Sequence, residues 1–236
     1  MKNQAALVSP LSFRPKQVVR RLLAALPERA RDVIINRYGL GAEAKKLTLE
    51  AIGKKYGITR ERVRQIENYA LHSIRKSDSY QKERAAFAEL EELMHSLGGV
   101  VAEEELLRHV GSDESARHHA HFLLVVGEPF KREREDEHFK HRWYIDDKLA
   151  GKVHEALRRL YKSLTNRDLV SELDIIAQFL THVEDVADHL KQEHIVRRWL
   201  NLSKTIGKNP LGEWGLMTSP NISAKGMRDY AFLVLR

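Results

Sequence analysis

Apolar residues recur at a helical period along most of this chain. In RPKQVVRRLLAAL (residues 14–26), Val18, Leu22, Leu23 and Leu26 share one face. Pro27 opens a second helix, PERARDVIINRY, at a position where its missing amide costs nothing, and Gly39 and Gly41 end it. TLEAIGKKYG predicts a short third helix with Thr48 as N-cap. Gly57 then makes a turn, and Thr59 caps a fourth helix that runs to about Lys76. Residues 1–12 read as a flexible tail, and KSDSY (76–80) as a polar linker.

The pattern continues beyond that linker. QKERAAFAELEELMHSLG, AEEELLRHV and DESARHHAHFLLVV read as helices. In PFKREREDEHFKHRWYI two strand-like runs flank a charged tip around Glu135–Glu137. Three helices and a hairpin follow the order of a winged helix, and a small α+β domain would give the same string. From Asp147 onward KLAGKVHEALRRLYKSL, with Val153, Leu157 and Leu160 on one face, is followed by TNRDLVSEL, DIIAQFL and VEDVADHLKQE, all read as helical. NLSKTIGKNPLGEWGLMTSPNIS has the Gly, Pro and Asn content of turns and loops. A last helix, AKGMRDYAFLVLR, runs into the C-terminus with an apolar end at Phe232–Leu235, as a truncated chain would. The expected fold class is mainly α: a helix-turn-helix domain at 13–77, then winged-helix-like small α+β units at 81–146 and 147–212, and a further start at 213–236.

Charge adds a direction. Residues 1–80 hold 17 Lys and Arg against 7 Asp and Glu, a net of +10, whereas the remainder holds 23 against 26, a net of −3. Positive charge is therefore concentrated where the four-helix pattern lies, as in a phosphate-binding surface, although a solvated face would look the same. The chain has no cysteine, which excludes disulfides and thiolate metal sites and suits a reducing cytoplasm. No apolar run approaches the roughly 18 residues of a membrane helix, and the N-terminus lacks a secretory signal's apolar core.

At about 100° per residue, the helix from Arg60 divides cleanly. Val63, Ile66, Ala70 and Ile74 form the packing side; Glu61, Arg64, Gln65, Asn68 and His72 lie opposite, with Arg60 and Arg62 at the borders. A short helix, a glycine turn and a cationic helix make a helix-turn-helix, whose second helix meets base edges through its N-terminal residues. Arg can present two donors to guanine, Gln can pair with adenine, and Glu can accept from cytosine. Arg60, Glu61 and Gln65 occupy the first two turns, where bases are in reach, while Arg62 and Arg64 suit phosphates. A purely structural helix with solvated charges remains the alternative.

The segment from Leu26 to Lys76, LPERARDVIINRYGL through LTLEAIGKKYGITRERVRQIENYALHSIRK, resembles region 4 of bacterial sigma-70 family factors over about a fifth of the chain. LPER, RYGL, TLEAIG and TRERVRQIE carry the likeness. The resemblance implies recognition of a promoter −35 element in double-stranded DNA and docking on the flap of the RNA polymerase β subunit. It places Arg60, Glu61 and Gln65 at bases, and Thr48, Leu49, Thr59, Arg62 and Arg64 at the DNA backbone. Tyr69 and His72 fall where family members often carry basic residues that meet DNA or activators, and Asn68 lies beside them. Nothing resembles region 2, which melts the −10 element, so the expectation is a protein that touches a −35 element but does not open a promoter alone.

EWGLMTSPNISAKGMRDYAFLVLR resembles the opening of the HARE-HTH winged-helix family, which includes the N-terminal domain of the RNA polymerase δ subunit. A plain terminal helix with Met227, Tyr230, Ala231 and Val234 in its core explains the same residues. The unit at 81–146 is expected to contact protein rather than DNA, because its balanced tip, KREREDE, would repel phosphate as much as attract it. His118, His119, His121, His138 and His141 lack the spacing of a metal motif, and no metal or other cofactor is expected. Phosphate-cradle, nucleophile-elbow and zinc-protease motifs are missing, so catalysis is not expected. Two rivals remain to the promoter reading: a free-standing helix-turn-helix regulator that dimerises on two half-sites, and an adaptor or decoy that occupies the β flap without using DNA.

Overall fold

The computed structural model describes residues 11–111, 113–223 and 231. Of the expected tail only Leu11 and Ser12 are described, and of the expected final helix only Ala231, so both expectations lie largely outside the described residues. The chain is mostly helical with small antiparallel sheets, and it divides into two compact units. The first comprises Met1–Leu93 and Glu104–Lys131, the second Met94–Glu103 and Arg132–Arg236. No helix among the described residues is long and apolar enough to cross a membrane.

Unit 1 begins with α1 (Pro15–Leu23), α2 (Glu28–Tyr38), α3 (Leu49–Tyr56) and α4 (Arg60–Arg75). Each boundary has a local cause. Pro15 stands at the start of α1, and Gly39 and Gly57 end α2 and α3 in the left-handed conformation, at φ 67° and 64°. KSDSY is not a linker: α5 (Asp78–Lys82) forms there. The Ser77 hydroxyl accepts from the Tyr80 amide at 3.2 Å and donates to the Ile74 carbonyl at 2.7 Å, which joins α4 to α5 with almost no loop. Tyr80 is buried, its ring 4.7 Å from that of Phe87.

Most of α6 (Arg84–Ser96), α7 (Glu103–Val110) and α8 (Glu114–Val126) complete unit 1. Asp113 caps α8 by accepting from the Ala116 amide at 2.8 Å. α8 packs on α1, α2 and α4. Tyr38 meets Phe122 of α8 edge-on at 5.0 Å, and its hydroxyl donates to Glu67 of α4 at 2.9 Å. Arg75, in the last turn of α4, donates to the carbonyls of Val125 and Val126 at 2.9 and 3.0 Å, which satisfies the C-terminal end of α8.

Unit 2 holds β1 (Val100–Ala102), β3 (Arg142–Tyr144) and all but the first residue of β2 (Lys131–Glu133), which form a sheet in the order β1-β3-β2. α9 (Asp147–Ser163), α10 (Glu172–Leu180), α11 (Glu193–Leu200) and the hairpin β4 (Ile206–Lys208)–β5 (Trp214–Leu216) follow. Val100, Phe139, Val153, Leu157, Phe179, Trp199 and Trp214 are among its core residues. Two helical expectations and one loop expectation are corrected here. TNRDLVSEL is a turn and a β-bridge from Val170 to Trp214 before Ser171 caps α10. VEDVADHLKQE contains only a 3-10 turn at Asp188–Leu190, and the loop-like 201–223 contains β4 and β5.

Candidate nucleic-acid interface

The interface is built on a small apolar knot. Val33, Ile52 and Val63, one each from α2, α3 and α4, are fully buried together, and Leu47, Leu49, Tyr56, Ile58 and Ile66 pack around them. The turn between α3 and α4 depends on Gly53: a Cβ there would lie 2.6 Å from the Ile58 carbonyl oxygen. That close approach sets the crossing of the two helices. Thr48 accepts from the Ala51 amide and Thr59 from the Arg62 amide, both at 3.1 Å, so each helix starts from a satisfied cap.

Anchored this way, α4 presents a polar face. Val63, Ala70 and Ile74 are buried and Ile66 is half-buried, while Arg60, Glu61, Arg62, Arg64, Gln65, Asn68, Tyr69 and His72 are exposed. The structure therefore brings every expected α4 site residue to the surface, with Arg60, Glu61 and Gln65 in the first two turns. Two exposed pairs organise the face. Arg64 donates to both Glu61 oxygens at 2.7 and 2.9 Å, and Arg62 donates to the Gln65 side-chain oxygen at 3.1 Å. The Arg64 hydrogen bond holds the Glu61 carboxyl below the usual carboxylate range, which keeps it an acceptor. Both groups of the Glu61–Arg64 pair are exposed, so water screens it and a ligand can displace it at small cost.

The candidate backbone contacts differ in kind. Leu49 sends its side chain to the knot, so what it can offer a phosphate is the backbone N–H at the start of α3. The Thr59 hydroxyl, already accepting from Arg62, retains its own proton for donation. Tyr69, 58% exposed, edges a shallow cleft of about 220 Å³ with Pro27, Arg29, Ala30, Arg62 and Ile66. Sequence reasoning missed the residues that hold α4 from behind: Tyr38, Glu67 and Arg75. Their partners lie 29 to 51 positions away, beyond any local signal.

The expected histidines are dispersed. His118 contacts the Gly39 carbonyl at 3.2 Å, His119 the Ser115 carbonyl at 2.6 Å, and His141 accepts from the Glu135 amide at 2.8 Å. Among the described residues no three His, Asp or Glu side chains converge as metal ligands would.

This geometry coincides with a known domain type. The family described as sigma-70, region 4 matches residues 22–76, and that segment is a sigma-70 region 4, a DNA-binding, transcription-related domain. Over 57 residues the chain is 56% identical to the RNA polymerase sigma factor RpoS of Coxiella burnetii, covering 24% of this chain and 16% of that protein. It is 42% identical over 55 residues to the RNA polymerase principal sigma factor HrdD of Streptomyces viridifaciens, covering 23% of this chain and 16% of the relative. For the RNA polymerase sigma factor SigA of a Bacillus species the identity is 43% over 60 residues, 25% of this chain and 16% of the relative. The chain thus spans about a sixth of the length of these relatives, all within the helix-turn-helix segment. No solved structure matches the chain.

Proposed function

We propose that the protein acts in transcription by reading a −35-like promoter element through α4 while docked on RNA polymerase. Arg60, Glu61 and Gln65 face the bases of the major groove. Thr48, Thr59, Arg62, Arg64 and the backbone N–H of Leu49 hold the phosphates, and Asn68, Tyr69 and His72 extend the contact along the groove or meet an activator. The observation that carries this reading is the capped, cationic and half-exposed α4 inside a segment that matches region 4. The relatives are sigma factors by name, which supports a polymerase partner, with the β flap as the docking point. Within these residues the likeness stops at region 4, so opening of the −10 element falls to another polypeptide segment. The protein works in the cytoplasm, without a membrane or a cofactor, and is not an enzyme.

The test is co-elution of the purified chain with polymerase core lacking any sigma factor, at near-physiological salt. Co-elution, with loss of −35 discrimination on R60A/E61A/Q65A substitution, is expected. Separate elution combined with tight binding to a palindromic duplex would instead assign a free-standing regulator, and retained activity in the triple variant would assign a decoy.

A further inference from the structure

β1, α7, α8 and the hairpin β2–β3 run in the same order as Val170, α10, α11 and the hairpin β4–β5. In both, the last strand pairs antiparallel with the first and with its own hairpin partner. Register matches at the side-chain level. Trp143 of β3 pairs with Val101, and Glu103 follows two residues later as the first residue of α7. Trp214 of β5 bridges Val170, and Glu172 follows two residues later as the first residue of α10. The Trp143 indole donates to Glu103 at 2.9 Å; Arg132 on β2 donates to the same carboxylate and lies 5.9 Å over the Trp143 ring. The Trp214 indole donates to Glu172 at 3.4 Å; Lys208 on β4 donates to that carboxylate and lies 5.7 Å over the Trp214 ring. One aromatic–acid–cation clamp therefore occurs twice, at equivalent positions, although VVAEEE and LVSELD share little else.

We infer that the chain carries one strand–helix–helix–hairpin order and its clamp twice, and that the second helix of each is committed to packing within its own unit rather than to reading duplex DNA. In a DNA-reading helix pair the second helix exposes a polar face towards the groove. α4 does so with eight of its 16 residues exposed, whereas only Glu114 and Arg117 of the 13 in α8 are exposed. A helix buried on nearly all sides is a core element. The other second helix, α11, buries Ile195, Val196, Trp199 and Leu200 and exposes Glu193, His194 and Arg197, a face that carries an acid among its cations. Trp199 donates to the Gly98 carbonyl at 3.1 Å, and Gly98, at φ 100°, has Ile195 where a Cβ would stand, 2.5 Å away. Arg117 donates to the Gly111 carbonyl at 3.2 Å, and Arg197 is held by two carboxylates, the exposed Glu193 and the less exposed clamp acid Glu172, which Lys208 and Trp214 also hold. The first hairpin is occupied as well: Lys140 and His138 bond the backbone of Leu202 and Lys204 at 3.0 and 2.7 Å, and Lys204 pairs with Glu135 at 2.6 Å.

Footprinting of the full chain on a −35-containing duplex tests this, and the inference is separable from the reading of α4. Protection is expected to stay within one turn, about 10 base pairs, to vanish with R60A/E61A/Q65A, and to be unchanged by R117E or R197E. Protection that extends a further turn and is lost with either charge reversal would overturn the inference. No protection even with polymerase core added would overturn the α4 reading and support the inference, because a DNA-reading α8 or α11 would still leave a footprint. Glu103→Gln and Glu172→Gln test the duplication: each is expected to shift indole emission and lower the thermal midpoint to a similar extent. A response at one position alone would overturn the equivalence.

Discussion

At Gly53 a single hydrogen atom decides the geometry of the interface. The Gly53→Ala variant places a methyl 2.6 Å from a backbone oxygen that cannot swing away, so the helix crossing must open. A loss of about 1–3 kcal/mol is expected from such overpacking, read as a lower urea midpoint. Arg64→Ala should behave oppositely. Its pair with Glu61 is exposed, so stability changes little, but if Arg64 holds a phosphate the slope of log affinity against log salt falls by about 1. A third residue sets a pH limit. His154 is buried, accepts from the Arg142 guanidinium at 2.8 Å, and has its pKa pushed down to about 4 by burial and then by that neighbouring charge. Its folded pKa lies below the ordinary 6.5, so the unfolded chain takes up the proton first. Stability present above pH 6.5 should drain away as pH falls towards 4, by up to about 3 kcal/mol. His118 and His194, also lowered by burial, act in the same direction. Urea midpoints between pH 7 and 4 measure the slope, which His154→Gln should reduce.

Among the elements, those with strong local punctuation were legible in the sequence. α1 to α4 follow from Pro15, Pro27, Gly39, Thr48, Gly57 and Thr59, each acting within a few residues of the boundary it sets. β1, β4 and β5 escaped because three residues are too few for an alternating pattern to register. TNRDLVSEL has helix-compatible residues, yet Val170 is claimed by Trp214 through two backbone hydrogen bonds of 2.7 and 2.8 Å, a long-range pairing that outweighs local preference. α8 was foreseen as a helix but not as one that packs on α1, α2 and α4. Its C-terminal carbonyls depend on Arg75, so Arg75→Ala should cost about 1–3 kcal/mol, with hydrogen exchange accelerating first in the last turn of α8.

On the scale of the whole molecule, the region 4 segment is built into unit 1 rather than appended to it. α8 covers α1 and part of α2, and the chain leaves unit 1 after Leu93 and returns at Glu104 to supply it. A fragment of residues 11–77 would uncover apolar surface around α1, where Val18, Val19, Leu22 and Leu23 are now buried. Relative to the full chain it should melt lower and bind a hydrophobic dye, because the lost burial is worth roughly 25 cal/mol per Å². The sequence by itself determined the four N-terminal helices, the exposed face of α4 and the concentration of positive charge around it. These are local properties: period, caps and side-chain chemistry act over a few residues. Only the tertiary structure decided which helices are faces and which are core, where Tyr38, Glu67 and Arg75 brace α4, and that one clamp recurs in two places. Those depend on pairings between residues tens of positions apart, and such pairings leave no periodic trace along the chain.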